Sequence, residues 1–523
     1  MLFATHKSSV VFLLFTLLLA TVLRVLFLGS IPNGFFCDEA SNAYDSFSLL
    51  HTLRDQHGAF LPVFTRSIDD YREALYIFIT IPFIKIFGLN EFAARIPAAM
   101  IGVATVLVLY YLVKECFDRK TALVAALLLA ISPWHIQFSR IAFRAILIPL
   151  LFCLALLFFI KSFRHSKFLP ISALCFGFSL YTYASARVFV PLFMLGLVII
   201  FWRHFWKHWQ QTLIALGLFL LIFIPLALFW ISPEGMSRAN ATGLEVSPLV
   251  ILKYYLSYFN PIFLFIKGDG INRHSPAKIG ELYYFEIITV TWGLISLIRE
   301  NRPEKPILLL WLFLYPLPAA ITSPNHALRA ISGVPLFTIL SAYGLVKLID
   351  LLHGKWQKLS IFAVGAVLVA SLAILTKTYF IDYPLYTTRA WQYGVREAIT
   401  YAEQNSYQCI VMSNQIYLRE CGSLHVFIPF YTKYSPQEYQ KSVISPETRI
   451  ELFHGRTDYK IGKYNIASLD KTKNISSNCL YIIEPKELES IISQGYNWKE
   501  VHSVKDKRGI EYLKLIELNN TKA

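Results

Sequence analysis

The sequence predicts a polytopic α-helical membrane protein of about eleven transmembrane helices, followed by a C-terminal extracytoplasmic α/β domain. Three observations carry that prediction. The 523-residue chain is 55% hydrophobic and only 16% charged, too apolar for an ordinary soluble chain. Apolar runs of about 17–20 residues, the length that crosses a bilayer, recur from the N-terminus to roughly residue 380. Beyond that point the composition turns polar, and short strand-like runs alternate with helix-like ones.

The first run, 9–29, is too long for a signal-peptide core and lacks a clear A-x-A site, so it is read as a retained span. Further spans are expected at 96–114, 120–134, 142–161, 169–185, 187–203, 211–231, 281–298, 305–322, 327–349 and 359–379. The run 74–88 is short, contains Pro82 and Lys85, and is expected to lie along or dip into the interface. The loops "KECFDRK", "KSFRHSK", "RHFWKH", "RENRPEK" and "KLIDLLHGKWQK" are basic and fall on alternate sides, which makes them cytoplasmic. The division expected is a membrane domain over 1–380, with extracytoplasmic loops 30–95 and 232–280, and a soluble extracytoplasmic domain over 381–523. In the tail, "QCIVMSN", "HVFIPFY", "NCLYIIEP" and "EYLKLIEL" read as strands and "RAWQYGVREAITYAEQ" as a helix.

The net charge of +15 suits cytoplasmic loops and lipid headgroups, so no nucleic-acid partner is expected. Seven cysteines without a CxxC pair argue against a zinc module or redox motif. One disulfide among Cys409, Cys421 and Cys479 is compatible with the tail, and connectivity is not readable from sequence. Sequons occur at Asn240 and Asn474.

Candidate functional residues collect on the predicted outer face. "GSIPNGFFCDEASNAYDSF" (29–47) sets the acidic pair Asp38 and Glu39 just past the first span. The segment 39–54 has apolar residues at helical spacing, which fits an amphipathic helix on the membrane with Asp38 at or near its N-cap. Asp38 is read both as a helix cap and as a catalytic base, and the two roles are compatible. Arg72 and Glu73 precede the interfacial run; Asp269, Arg273 and His274 lie in "KGDGINRHS"; His326 and Arg329 lie in "NHALRAISGVP"; Arg187 opens a span. Taken singly, each arginine, with Arg24, Arg140 and Arg144, reads as a snorkelling headgroup anchor. Together, with Arg329 at a turn entering an apolar run, they suit a lipid phosphate. His135, His274 and His326 are scattered in sequence, and no metal quartet, Walker A motif, HExxH or GxSxG occurs. No metal ligands are therefore assigned.

A sugar carried on a polyprenyl phosphate would need this set. The tail needs a groove between spans, and the phosphate needs cations at headgroup level. Phosphate leaves readily, so one carboxylate that deprotonates the acceptor hydroxyl suffices, whereas glycoside hydrolysis uses a second carboxylic acid.

The motifs "LGSIPNGFFCDEA", "GLNEFAARIPAAMIG", "SPWHIQFSR", "KGDGINRHS" and "NHALRAISGVP", with a soluble domain after the last span, resemble the GT-C glycosyltransferases. The likeness is to the dolichyl-phosphate-mannose–protein-mannosyltransferase-like group, which includes the lipid A aminoarabinose transferases, and covers roughly 1–380. The resemblance implies that Asp38 is catalytic, with Glu39 as the second acid. Glu73 matches the Glu of a Glu-Lys-Pro stretch in the aminoarabinose branch, but no Lys-Pro follows it here, and Arg72 is the candidate substitute. It also implies a polyprenyl-phosphate sugar donor, inversion at the sugar, and a glycolipid, polymer or protein acceptor at a cell membrane. Some GT-C branches require a divalent metal and the branch resembled generally does not, so no cofactor is expected, with a divalent metal left open as the alternative. Two other classes compete: a transporter or flippase of lipid-linked sugars, and an inactive scaffold for envelope assembly. Transporters place ionisable groups near the midplane between related halves, whereas these groups fall at one predicted face.

Overall fold

In the computed structural model, which describes residues 6–67, 71–235, 245, 247–276, 279–421, 423–444, 459–469 and 479–519, the first six helices are α1 (His6–Val25), α2 (Cys37–Thr52), α3 (Leu75–Phe87), α4 (Glu91–Cys116), α5 (Arg119–Ile131) and α6 (Pro133–Ser139). The sequons at Asn240 and Asn474 lie outside the described residues. Every expected span contains helix, but the count of eleven is not supported. Among the described residues six helices are long and apolar enough to cross a membrane: α1, α4, Arg144–Ser162, Trp209–Trp230, Gly333–Asp350 and Gly354–Tyr386. The pair α5 and α6 makes a seventh if taken as one span bent by 58°. The bend falls at Ser132-Pro133: Pro133 lacks an N–H, and Ser132 Oγ caps α6 by accepting from the His135 N–H at 3.3 Å. The other expected spans are interrupted. The run 169–185 forms only Leu169–Ser179, and 281–298 begins as a turn before Glu286–Arg299.

The described chain packs as two compact units, Met1–Leu26 with Ala98–Tyr379, and Phe27–Pro97 with Phe380–Ala523. In the first unit, helices Glu286–Arg299 and Gly333–Asp350 pack backbone to backbone. A Cβ on Gly344 would lie 1.9 Å from the Thr289 carbonyl oxygen, so only glycine fits there. Thr289 and Ser341 hydroxyls bond across the same crossing at 2.7 Å.

The expected arginine anchors of this unit are corrected. Arg24 is fully buried, donating to the Ala20, Ala130 and Leu129 carbonyls and to His135 Nδ1. Arg140 is also fully buried, donating to the Leu23 and Leu26 carbonyls, with Tyr379 facing its guanidinium. Arg144 is buried over Tyr183. The Arg24 and Arg140 guanidiniums satisfy carbonyls where helices end or break instead of reaching to headgroups.

The second unit holds a hairpin of β1 (Phe64–Arg66) and β2 (Tyr71–Glu73), and a six-stranded sheet. The sheet strands are β3 (Ile410–Ser413), β4 (Tyr459–Ile461), β5 (Tyr464–Ala467), β6 (Leu480–Ile483), β7 (Asn497–Lys505) and β8 (Glu511–Asn519), in the order β4-β5-β3-β6-β8-β7. β3 runs parallel to both β5 and β6, with Ile410 opposite Tyr464 on one side and Leu480 on the other; the outer pairings are antiparallel. Val411, Leu469, Tyr481, Ile483, Ile516 and Leu518 form one core layer. The helix Val395–Gln404 buries Val395, Ala398, Ile399 and Ala402, the i, i+3, i+4, i+7 face of an amphipathic helix. Cys409 and Cys479, the residues preceding β3 and β6, form a disulfide. "HVFIPFY", expected as a strand, is instead helical over Leu424–Val426 and Phe427–Thr432, because Pro429 has no N–H to give a ladder.

Candidate active site

α2 starts where the chain leaves the turn at Pro32-Asn33-Gly34. Phe36 is the extended N-cap, and its N–H donates to Glu39 Oε2 at 3.1 Å. Asp38 is therefore the second residue of the helix, not its cap, and both acids sit where the helix dipole favours negative charge. The expected surface-lying amphipathic helix is also corrected. Ser41, Asn42, Asp45, Ser46 and Ser48 are all buried alongside the apolar positions. Their polar atoms are satisfied within the unit: Ser46 Oγ donates to the Ile77 carbonyl at 2.9 Å, and Gln440 Nε2 donates to Ser48 Oγ at 3.0 Å. Asp45 Oδ1 accepts from the Gln56 N–H at 3.0 Å. Burial, then the nearby Asp55 carboxylate, pushes Asp45 well above the ordinary carboxylate range.

The acidic pair divides into two environments. The Asp38 side chain is 40% exposed, and its Oδ1 meets Arg72 Nη2 at 3.3 Å. Arg72 is buried in β2 and held by Asn42 Oδ1 at 3.0 Å. Glu39 is fully buried and grasped by Arg95, with Nε on Oε1 and Nη2 on Oε2, both at 2.9 Å. Arg95 also donates to the Leu28, Pro32 and Gly34 carbonyls, so one guanidinium fixes the whole turn before α2. Its faces meet Phe35 and Trp391. The turn is closed further by Gly34, where a Cβ would lie 2.3 Å from the Trp391 carbonyl oxygen. Cys37 is disulfide-bonded to Cys421, and its N–H donates to Gln392 Oε1 at 2.9 Å. Glu73 is buried in β2, paired in register with Phe64. Beside this turn a cavity of about 550 Å³ is lined by Asn33, Gly34, Glu91, Tyr393, Glu397 and Tyr401 among others.

The remaining candidates belong to the first unit. His274 and His326, distant in sequence, come together with ring centroids 4.6 Å apart. His274 Nδ1 lies 3.0 Å from Asp269 Oδ2, and Oδ2 also accepts the Ala327 N–H at 2.8 Å. Burial lowers the His274 imidazole below its ordinary pKa, although the Asp269 carboxylate pulls the other way. Arg273 accepts through its carbonyl from Gln137 Nε2 at 2.7 Å. Arg329 is half-buried and donates to Ser323 Oγ at 3.2 Å. Arg187 stands over the Trp230 ring.

Sequence reasoning missed Arg95 and the Cys37–Cys421 link. The signal for Arg95 was present: a cation one turn into the apolar run "EFAARIPAAMIG" needs an internal partner. The disulfide had no local signal.

Residues 75–230 match the family model of dolichyl-phosphate-mannose-protein mannosyltransferase. No curated protein sequence matches the chain. Among solved structures, ArnT from Cupriavidus metallidurans bound to undecaprenyl phosphate is similar, with 12% identity over 98% of each chain and a TM-score of 0.61. The oligosaccharyltransferase AglB from Archaeoglobus fulgidus, in complex with an inhibitory peptide and a dolichol-phosphate, is similar at 12% identity and a TM-score of 0.51, over 98% of this chain and 74% of AglB. The fold is shared with these two solved structures. In sequence, residues 75–230 are similar to the mannosyltransferase family, in keeping with the resemblance that the motifs had suggested.

Proposed function

We propose that this protein is an integral membrane glycosyltransferase. It moves a sugar from a polyprenyl-phosphate donor to an acceptor hydroxyl, with inversion, on the extracytoplasmic face of a cell membrane. The reading rests most on the contrast within the acidic pair: Asp38 is half-exposed beside Arg72, while Glu39 is sealed by Arg95. A general base must reach its proton, so Asp38 takes the acceptor hydroxyl proton and Glu39 positions the turn that carries it. The acceptor oxygen attacks the anomeric carbon, the bond from that carbon to the phosphate oxygen breaks, and polyprenyl phosphate leaves with the electron pair. Arg72 keeps Asp38 oriented.

Two lines support the donor and the face. The similar ArnT and AglB structures hold undecaprenyl phosphate and a dolichol-phosphate, respectively. The two disulfides, Cys37–Cys421 and Cys409–Cys479, lie in segments whose flanking charges predict an extracytoplasmic location, where disulfides persist. Arg329, with Arg273, is proposed for the donor phosphate, and Arg187 for a further donor contact; His274 and His326, expected there from sequence, instead face Asp269. The cavity lined by Asn33, Tyr393 and Tyr401 is proposed to receive the acceptor. Purified protein in liposomes, given a radiolabelled polyprenyl-phosphate sugar and a crude envelope acceptor fraction, tests the reading. Label leaving the lipid supports transfer. Label crossing the bilayer with its phosphate bond intact supports the transporter alternative and overturns the proposal.

A further inference from the structure

The turn Gly268–Ser275 and the turn before Ala327 form an unusual polar knot inside the first unit. Asp269 is buried, and its Oδ1 accepts the Ile271 N–H at 2.8 Å. Its Oδ2 lies 3.0 Å from His274 Nδ1 and 3.9 Å from His326 Nδ1. One ligand atom from each of Asp269, His274 and His326 falls within 4.8 Å of the others. Tetrahedral zinc bonded at about 2.0–2.1 Å sets its ligand atoms roughly 3.3 Å apart. Two of the three separations bracket that spacing and the third is at most 4.8 Å, so movement of the His326 ring toward Asp269 and His274 would complete three legs of the site.

A second observation is independent of this spacing. Glu281, 1% exposed, packs against the same knot: its Oε1 accepts the Asp269 N–H at 2.8 Å, while Oε2 is buried without a hydrogen-bond partner. Two buried carboxylates are thus gathered beside two imidazoles, an arrangement that a cation compensates. The donor set, two histidines and one carboxylate, is one that zinc takes, with a fourth position left for water. The partners that would orient the ligands are in place. Ala327 N–H holds Asp269 Oδ2, and the His326 N–H donates to the Tyr258 hydroxyl at 3.2 Å.

We propose that Asp269, His274 and His326 bind one divalent ion of the zinc class, which pins the turn Gly268–Ser275 to the His326-Ala327 turn. The ion is a structural fastener, and the inference stands whether or not the transfer reaction does.

The test uses the full-length protein in detergent, purified by a tag without histidine and stripped of metal by a chelator. It is then titrated with Zn²⁺ and, for its visible spectrum, Co²⁺. One equivalent of Zn²⁺ should bind per chain, raise the melting temperature, and give with Co²⁺ the intense bands of low coordination number. His274→Gln and His326→Gln should each weaken Zn²⁺ binding at least tenfold, and His326→Cys, which keeps a zinc ligand, should restore most of it. If a glutamine variant does not fold, the wild-type stoichiometry and Co²⁺ spectrum decide alone. A stripped wild type that folds but binds no stoichiometric Zn²⁺, or binds it as tightly after both histidines are replaced, overturns the proposal.

Discussion

Arg95 and Glu39, 56 residues apart, form a bidentate ion pair with both side chains fully buried. The pair does for the first loop what no local signal does. It ties the turn before α2 to the first turns of α4, and so fixes the direction in which Asp38 leaves the helix.

Arg95→Ala would leave the Glu39 carboxylate buried and uncompensated. Breaking a buried pair from one side costs about 3–5 kcal/mol. The variant should show a clearly lower melting temperature and a protease-sensitive first loop. A melting temperature equal to wild type would mean that the pair carries little.

The two disulfides should separate in their effects. Cys409–Cys479 staples β3 to β6, far in sequence from the acidic pair, so its removal should cost about 2–4 kcal/mol of stability with catalysis per folded molecule retained. Cys37 directly precedes Asp38, so Cys37→Ser with Cys421→Ser should also lower kcat while leaving the donor KM near wild type. Steady-state kinetics on the folded fraction checks this; equal kcat in both double variants would contradict it.

Asp45 predicts a pH dependence. Burial, then Asp55, raises its carboxyl well above the ordinary range, so the folded chain keeps a proton that the unfolded chain releases near about pH 3.9. The stability this contributes is full below that unfolded value and is lost as pH rises toward the folded one. Asp45→Asn keeps an acceptor for the Gln56 N–H and removes the titration. Between about pH 4 and pH 7 its melting temperature should fall less than that of wild type. Parallel curves would show that Asp45 is ionised throughout.

Arg329→Ala should weaken donor use at least about tenfold with the fold intact, since losing one partner of a desolvated charge contact costs roughly 2–5 kcal/mol. Unchanged donor affinity in a folded variant would make Arg329 a hydrogen-bond partner of Ser323 and nothing more.

What the sequence revealed follows the range of each interaction. The apolar runs and the strands around Ile410, Leu480 and Glu511 follow from local periodicity and were legible. The number of spans was not, because Pro133 and polar turns break helices that composition alone joins. Asp38 and Glu39 were legible as a pair beyond a turn, but their different fates depend on Arg72 and Arg95, which chain topology delivers from elsewhere. Arg24 and Arg140 read as headgroup anchors because their carbonyl partners, at Leu129 and Leu23 among others, lie on other turns and helices. The approach of His274 to His326 was equally a long-range event.

In the proposed transfer Asp38 is the base. Asn fits the same second position of α2 and keeps a side-chain oxygen that can accept from the buried Arg72, so Asp38→Asn should stay folded with only a modest fall in melting temperature. With saturating donor and acceptor, turnover of the purified variant should fall by about 10²–10⁴-fold while donor binding is kept. Full turnover by a folded Asp38→Asn protein would contradict the account.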